Sequence, residues 1–180
     1  STAIFAEAAR AAGFRWLPDL NAEPVGENAP PGVGAVPSNI VDGVRSGPGA
    51  AFLEPVMNRP NLTVHTATRT VRVRLTGTRA VGITAIGPAG AIELGADRIV
   101  LSAGAIESAH LLMLSGIGPA DDLRAVGVAP IADLPVGRRT SDHPELVMST
   151  TWAVAPRRPV LEVLLVDDDL EIRPYTGGFI

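Results

Sequence analysis

Three small residues stand where a protein backbone could bind an anionic ligand directly: Ser102, Ala103 and Gly104. They follow the apolar run 98–101, which predicts a buried strand, and precede a segment that predicts a helix up to about residue 115. The first N–H groups of a helix lack intrahelical partners and lie at the positive end of its dipole. With no bulky side chain in the way, the turn predicts close approach of a nucleotide or phosphate. The alternative is an ordinary strand-turn-helix unit whose small residues only allow packing.

Acid-base chemistry would depend on three histidines, His65, His110 and His143. The first two have no acidic or nucleophilic neighbour in sequence, so structural roles are the better interpretation. His143 lies between Asp142 and Pro144, a rigid context that could orient its ring.

Several other kinds of site are not supported by the sequence. No G-x-S-x-G elbow is present, and the glycines at 32 and 34 lack the third glycine of a dinucleotide fingerprint. All 15 basic residues are arginine, which excludes lysine chemistry, and the absence of cysteine excludes a thiolate nucleophile. The aspartates at 167–169 are more typical of a solvated turn than of a cation site, so no metal site is predicted.

The elements that must position these residues follow from hydrophobic periodicity. Residues 3–12 predict a helix, 17–44 a long loop, and 46–57 a helix with Phe52, Leu53, Val56 and Met57 as its buried face. Alternation predicts strands at 62–66, 68–75, 80–86 and 91–94, of which the last three form an antiparallel meander leading to strand 98–101. Further strands are predicted at 146–154, 159–166 and 170–173, with the aspartate turn joining the last two.

Composition narrows the class of protein. With 180 residues and 46% hydrophobic residues, the chain is long enough to fold around a sizeable core. A net charge of −4 gives no reason to expect a nucleic-acid partner, and no apolar run is long enough to span a membrane. The absence of cysteine slightly favours a reducing cytoplasm. Because the chain starts at Ser1 without methionine, we expect it to be a piece of a larger protein.

The stretch from Gly104 to Gly118, G-A-I-E-S-A-H-L-L-M-L-S-G-I-G, resembles the second signature of the glucose-methanol-choline (GMC) family of flavin oxidoreductases. It differs at Glu107, where the family usually has a small residue, and at Ala109, where proline is usual. Other segments resemble the family in order and spacing, so that nearly the whole chain is covered: 19–21 (D-L-N), 50–55 (A-A-F-L-E-P), 59–64 (R-P-N-L-T-V), 80–83 (A-V-G-I), 98–104, 127–128 and 142–144 (D-H-P). The loop 36–45 is similar to the actinobacterial branch associated with mycofactocin.

The resemblance implies FAD as cofactor and oxidation of an alcohol by hydride transfer to the flavin. It places a backbone group of Thr70, where valine is usual, against the adenine, and Ser102, Ala103 and Gly104 beside the adenosine or pyrophosphate. Asp142 and His143 would border the flavin pocket, although the preceding segment 137–141 differs from the family pattern. The catalytic histidine and its partner are expected beyond Ile180, so no residue here is predicted to be catalytic.

The predicted fold class is α/β: part of a Rossmann-like FAD-binding domain on a mainly parallel sheet, with an antiparallel meander and strands of an α+β substrate domain. We expect residues 1–44 to form a substrate-side helix and loop, 45–145 the FAD-binding portion, and 146–180 the start of the substrate-binding sheet. The expected partners are a small alcohol and the rest of a parent chain. Two alternatives stay open: a non-catalytic binding or assembly module, and, less favoured, a nicotinamide-dependent dehydrogenase.

Overall fold

The computed structural model describes residues 2–22, 30–149, 151, 159, 161–168 and 170–175. The chain divides into two compact units, Ser1–Asn58 with Val147–Ile180, and Arg59–Leu146. The functional domain boundaries expected after residues 44 and 145 stay a prediction.

The described elements follow one another in mixed α/β order. The α-helices are α1 (Thr2–Ala11), α2 (Gly104–Leu114) and α3 (Ala120–Ala125). The strands are β1 (Arg15–Leu17), β2 (Gly32–Ala35), β3 (Ile40–Val41), β4 (Val44–Arg45), β5 (Arg69–Thr76), β6 (Arg79–Gly87), β7 (Gly90–Gly95), β8 (Ile117–Gly118), β9 (Ala132–Asp133), β10 (Val163–Asp167) and β11 (Leu170–Ile172).

The first unit is built on a four-stranded sheet in the order β1-β2-β10-β11. Strands β1 and β2 are parallel, whereas β10 is antiparallel to both of its neighbours. The alanine-rich segment forms α1 as predicted, and its Ala9 packs with Val33 and Leu165 in the core. Together with its helix, this sheet of parallel and antiparallel strands agrees with the predicted α/β class.

The long loop predicted at 17–44 is wrong in part, because β2 and β3 lie inside it. Glycine disfavours strands, but the two glycines of β2 allow neighbouring chain to approach the strand closely. A Cβ atom on Gly32 would lie 2.6 Å from Cγ of Leu17, and one on Gly34 would lie 2.8 Å from the carbonyl oxygen of Leu17. Val33 between them is completely buried. This strand forms because neighbouring chain packs closely against its backbone, and the periodicity of apolar residues gives no sign of such packing.

The helix predicted at 46–57 is shorter and irregular. Gly49–Leu53 forms a π-helical turn and Glu54–Val56 a 3₁₀ turn, because Pro55 cannot donate a backbone hydrogen bond to a regular helix. Its predicted buried face is wrong: Phe52 is 78% exposed and Met57 is 48% exposed.

The second unit contains the antiparallel meander β5-β6-β7, which confirms the prediction from alternation. Bulges interrupt the pairing of β5 with β6 between Thr70 and Arg72 and between Arg74 and Leu75. Bulges bend a strand and change the direction of its side chains, so the first one changes the local geometry beside Thr70.

Two other predicted strands of this unit are wrong. Residues 62–65 and 98–101 are irregular, although the first run alternates apolar with polar residues and the second is mostly apolar. Val100 is 76% exposed, so the run at 98–101 is also not buried as expected. A strand needs a neighbouring strand to pair its backbone groups, and no described strand pairs with either run.

The carboxyl-terminal predictions are confirmed in part. Strands β10 and β11 occur, although β10 begins at Val163 rather than 159. Residues 146–149 are irregular, with Leu146 87% exposed, because no described strand pairs with them. Positions 150, 152–158, 160 and 169 of the predicted strands and aspartate turn lie outside the described residues.

Candidate functional site

Helix α2 is held against strand β5 by one completely buried polar side chain, Ser115. Its hydroxyl donates a hydrogen bond to the carbonyl oxygen of Leu111 at 2.6 Å and accepts one from the backbone N–H of Val73 at 2.8 Å. Leu111 and Val73 are themselves buried. This contact determines which part of β5 lies beside the amino-terminal end of α2.

We expect Ser115→Ala to reduce the free energy of unfolding by about 1–3 kcal/mol, because the N–H of Val73 would be buried without a partner. Denaturant unfolding followed by circular dichroism measures this loss. Ser108→Ala is the matched control, since the hydroxyl of Ser108 accepts an exposed hydrogen bond and should cost much less. Equal losses for the two variants would contradict the role assigned to Ser115.

The chain turns sharply after α2 at Gly116, whose φ is +86°. Its carbonyl oxygen accepts hydrogen bonds from the N–H groups of Ile131 and Ala132, at 2.7 and 3.1 Å. A Cβ atom at this position would lie 2.7 Å from the carbonyl oxygen of Ala129. Glycine is therefore required here both for its φ and for the close approach of this backbone.

At the other end of α2 the turn carries small residues and is exposed, as predicted for Ser102, Ala103 and Gly104. Ala103 is the N-cap residue and makes no side-chain capping bond. Its N–H is not free, however, because it donates a hydrogen bond to the hydroxyl of Ser108 at 3.1 Å. A Cβ atom on Gly104 would meet open space. The turn is accessible to a ligand, but it offers fewer free donors than the sequence predicted.

A groove of about 520 Å³ lies between this turn and strand β5. Seven residues line it: Thr68, Arg69, Thr70, Ala103, Glu107, Leu111 and Leu114. The fold thus brings together Thr70 and Ala103, which the family resemblance assigns to the same cofactor although 33 positions separate them. Ser102 and Gly104 flank Ala103 without lining the groove.

The groove also contains an ion pair that the sequence analysis did not predict. A guanidinium nitrogen of Arg69 lies 3.5 Å from a carboxylate oxygen of Glu107, and Nδ1 of His110 lies 3.4 Å from the same oxygen. The pair joins β5 to α2 across 38 positions. No local signal could have predicted it, because it depends on the register between the two elements.

Asp142 and His143 lie elsewhere in the second unit, in an exposed irregular segment. The backbone N–H of His143 donates a hydrogen bond to the carboxylate of Asp142 at 2.8 Å. Neither residue is among those that line the groove. His65 also lies in an irregular, exposed segment.

The described residues contain neither a metal-binding cluster nor a membrane-spanning helix. No group of three or more His, Cys, Asp or Glu side chains in that part of the chain could hold a metal ion. Over the same residues, no helix has both the length and the apolar character to cross a membrane.

Comparison with known proteins matches residues 1–145 to the model of the GMC oxidoreductase amino-terminal domain. Mitochondrial choline dehydrogenase of Mus musculus is 39% identical over 191 residues, which cover 98% of this chain and 31% of that protein. The chain spans about a third of the length of the first curated relatives it matches.

Solved structures are similar in both fold and sequence. Pyridoxine 4-oxidase from Mesorbium loti matches with a TM-score of 0.61 and 40% identity, covering 73% of this chain and 25% of that chain. An FAD-dependent oxidoreductase from Chaetomium thermophilum matches with a TM-score of 0.60 and 30% identity, covering 72% of this chain and 22% of that chain. These likenesses agree with the α/β class predicted from sequence.

Proposed function

Since the chain belongs to the GMC oxidoreductase family, we propose that it forms part of an FAD-dependent enzyme that oxidises an alcohol. When bound, the flavin would accept the hydride, and the protein would bind and orient cofactor and substrate. The proposal rests on one observation above all: Thr70, which the resemblance places against the adenine, and Ala103, which it places beside the adenosine or pyrophosphate, line one groove.

The residues of the groove fit an adenosine. Leu111 and Leu114 supply apolar walls against which a base could pack, and Ala103 presents no side chain beyond Cβ. The turn at Gly104 is open. Because the expected contact at Thr70 is made by its backbone, threonine in place of the usual valine would not remove it.

Other assignments rest on the family resemblance alone. We propose that Asp142 and His143 border the flavin pocket, and that no residue of this chain is the catalytic base. Residues 45–145 would form the FAD-binding portion, between a substrate-side segment at 1–44 and the start of the substrate-binding sheet at 146–180. A cytoplasmic location and membership of the mycofactocin-associated branch stay predictions.

A small alcohol is the proposed substrate class. The support is the family itself and the relative named choline dehydrogenase, since choline carries a primary hydroxyl group. Which alcohol is oxidised, and which acceptor reoxidises the flavin, would depend on parts of the protein outside this groove.

The test is the flavin content and redox behaviour of the intact protein that carries this chain. We expect one FAD per protein chain, bound covalently or released on denaturation, and we expect the flavin absorbance to bleach when a suitable alcohol is added without oxygen. Choline and pyridoxine are the first alcohols to try, because they are named by the relatives. An intact protein that neither retains nor binds added FAD would instead favour a non-catalytic binding or assembly module.

We expect the 180-residue chain alone to lack stoichiometric FAD, because the glycine-rich phosphate-binding fingerprint is not found in it. Stoichiometric flavin purifying with the isolated chain would contradict this expectation.

A further inference from the structure

Of the seven residues that line the groove, only Arg69 and Glu107 carry a charge. Their side chains are 70% and 57% exposed, so the ion pair lies in contact with solvent. An exposed pair of this kind contributes little to stability. The effect of this ion pair on the charge of the groove is independent of its small contribution to stability.

The positive charge of Arg69 and the negative charge of Glu107 cancel each other, so the lining of the groove has no net charge. Without Glu107, the positive charge of Arg69 would be free to attract any phosphate that entered. With Glu107 present, the carboxylate holds the guanidinium at 3.5 Å and repels an anion over the same short range. The remaining lining residues, such as Thr70 and Leu111, favour a neutral or apolar group.

We infer that Glu107 is a specificity-determining residue, which pairs with Arg69 and weakens the binding of anionic groups in this groove. The groove therefore selects the nucleoside end of a dinucleotide and leaves the diphosphate outside, which fixes the direction in which the cofactor enters. This inference rests on the proposed function, because it assumes that an adenosine occupies the groove.

The test compares adenosine with ADP as probes of the intact protein, freed of bound nucleotide, by isothermal titration calorimetry. Because adenosine is neutral, its affinity measures how well the groove fits the nucleoside. The ratio of the ADP affinity to the adenosine affinity measures the effect of the charges in the groove. Low salt limits screening of these exposed charges.

We expect Glu107→Gln to raise the ADP-to-adenosine affinity ratio by about threefold to tenfold, and Arg69→Gln to lower it by a similar factor. The ratio removes any effect that is common to both ligands, and the double variant should return it close to the original value. Glu93→Gln is the matched control: Glu93 is 60% exposed and paired with Arg74, but it does not line the groove. It should leave the ratio unchanged.

The outcomes separate this inference from the proposed function. If adenosine binds but Glu107→Gln changes the ratio no more than Glu93→Gln does, the role of Glu107 is wrong and the groove keeps its proposed ligand. If neither adenosine nor ADP binds the intact protein at millimolar concentration, the proposed ligand and the inference both fail.

Discussion

Ala103→Phe is expected to weaken the binding of adenosine and FAD by about fivefold to 150-fold, the equivalent of about 1–3 kcal/mol of steric overpacking. Ala103 lines the groove beside the amino-terminal end of α2, so a phenyl ring there would occupy space that the base needs. The affinity of the intact protein for FAD, measured by flavin fluorescence, gives the loss directly.

The fold should tolerate this change. Ala103 is exposed and its side chain makes no capping bond, so the variant should unfold within about 0.5 kcal/mol of the original protein. Ala105→Phe is the matched control, since Ala105 is exposed on the same helix but does not line the groove. If the two variants bind FAD equally well, the groove is not the adenosine site.

Gly116→Ala is expected to lower the free energy of unfolding by about 2–5 kcal/mol. The left-handed conformation costs a residue with a Cβ atom about 1–2 kcal/mol. The new Cβ atom, 2.7 Å from the carbonyl oxygen of Ala129, adds about 1–3 kcal/mol, because a backbone atom cannot move aside cheaply. For a chain of this length, thermal unfolding should occur at a temperature at least several degrees lower.

Gly127→Ala separates the two contributions. Gly127 also has a positive φ, +78°, but a Cβ atom there would meet nothing within 4 Å. The Gly127→Ala variant should therefore lose only the stability that the left-handed backbone conformation costs a residue with a Cβ atom. Equal losses in the two variants would mean that the contact with Ala129 is relieved by a small backbone shift and has no energetic role.

The wrong strand predictions have a common physical cause. Periodicity reports which residues could face a core, but a strand exists only where another strand accepts its hydrogen bonds. The runs at 62–66 and 98–101 have the composition of strands and lack a described partner. Conversely, β2 contains two glycines, which disfavour strands. It forms because β1 and β10 pair with it and neighbouring chain packs directly against its backbone.

Local sequence was sufficient for the elements whose stability comes from short-range patterns. The alternation in β5 to β7, the alanine-rich α1, the position of α2 and the bare turn at Ala103 all follow from spacing and residue type. The quoted signature between Gly104 and Gly118 also predicted the family correctly. The sequence alone thus determined the class of protein and the position of helix α2.

The tertiary structure decided which residues share that site. The buried hydroxyl of Ser115 fixes α2 against β5, and this register brings Thr70 to Ala103 and Arg69 to Glu107. Such contacts join residues that are more than thirty positions apart, and they depend on packing between two elements rather than on the preference of either one. The charge and shape of the groove therefore could not be read from the sequence, because they arise only when α2 and β5 pack together.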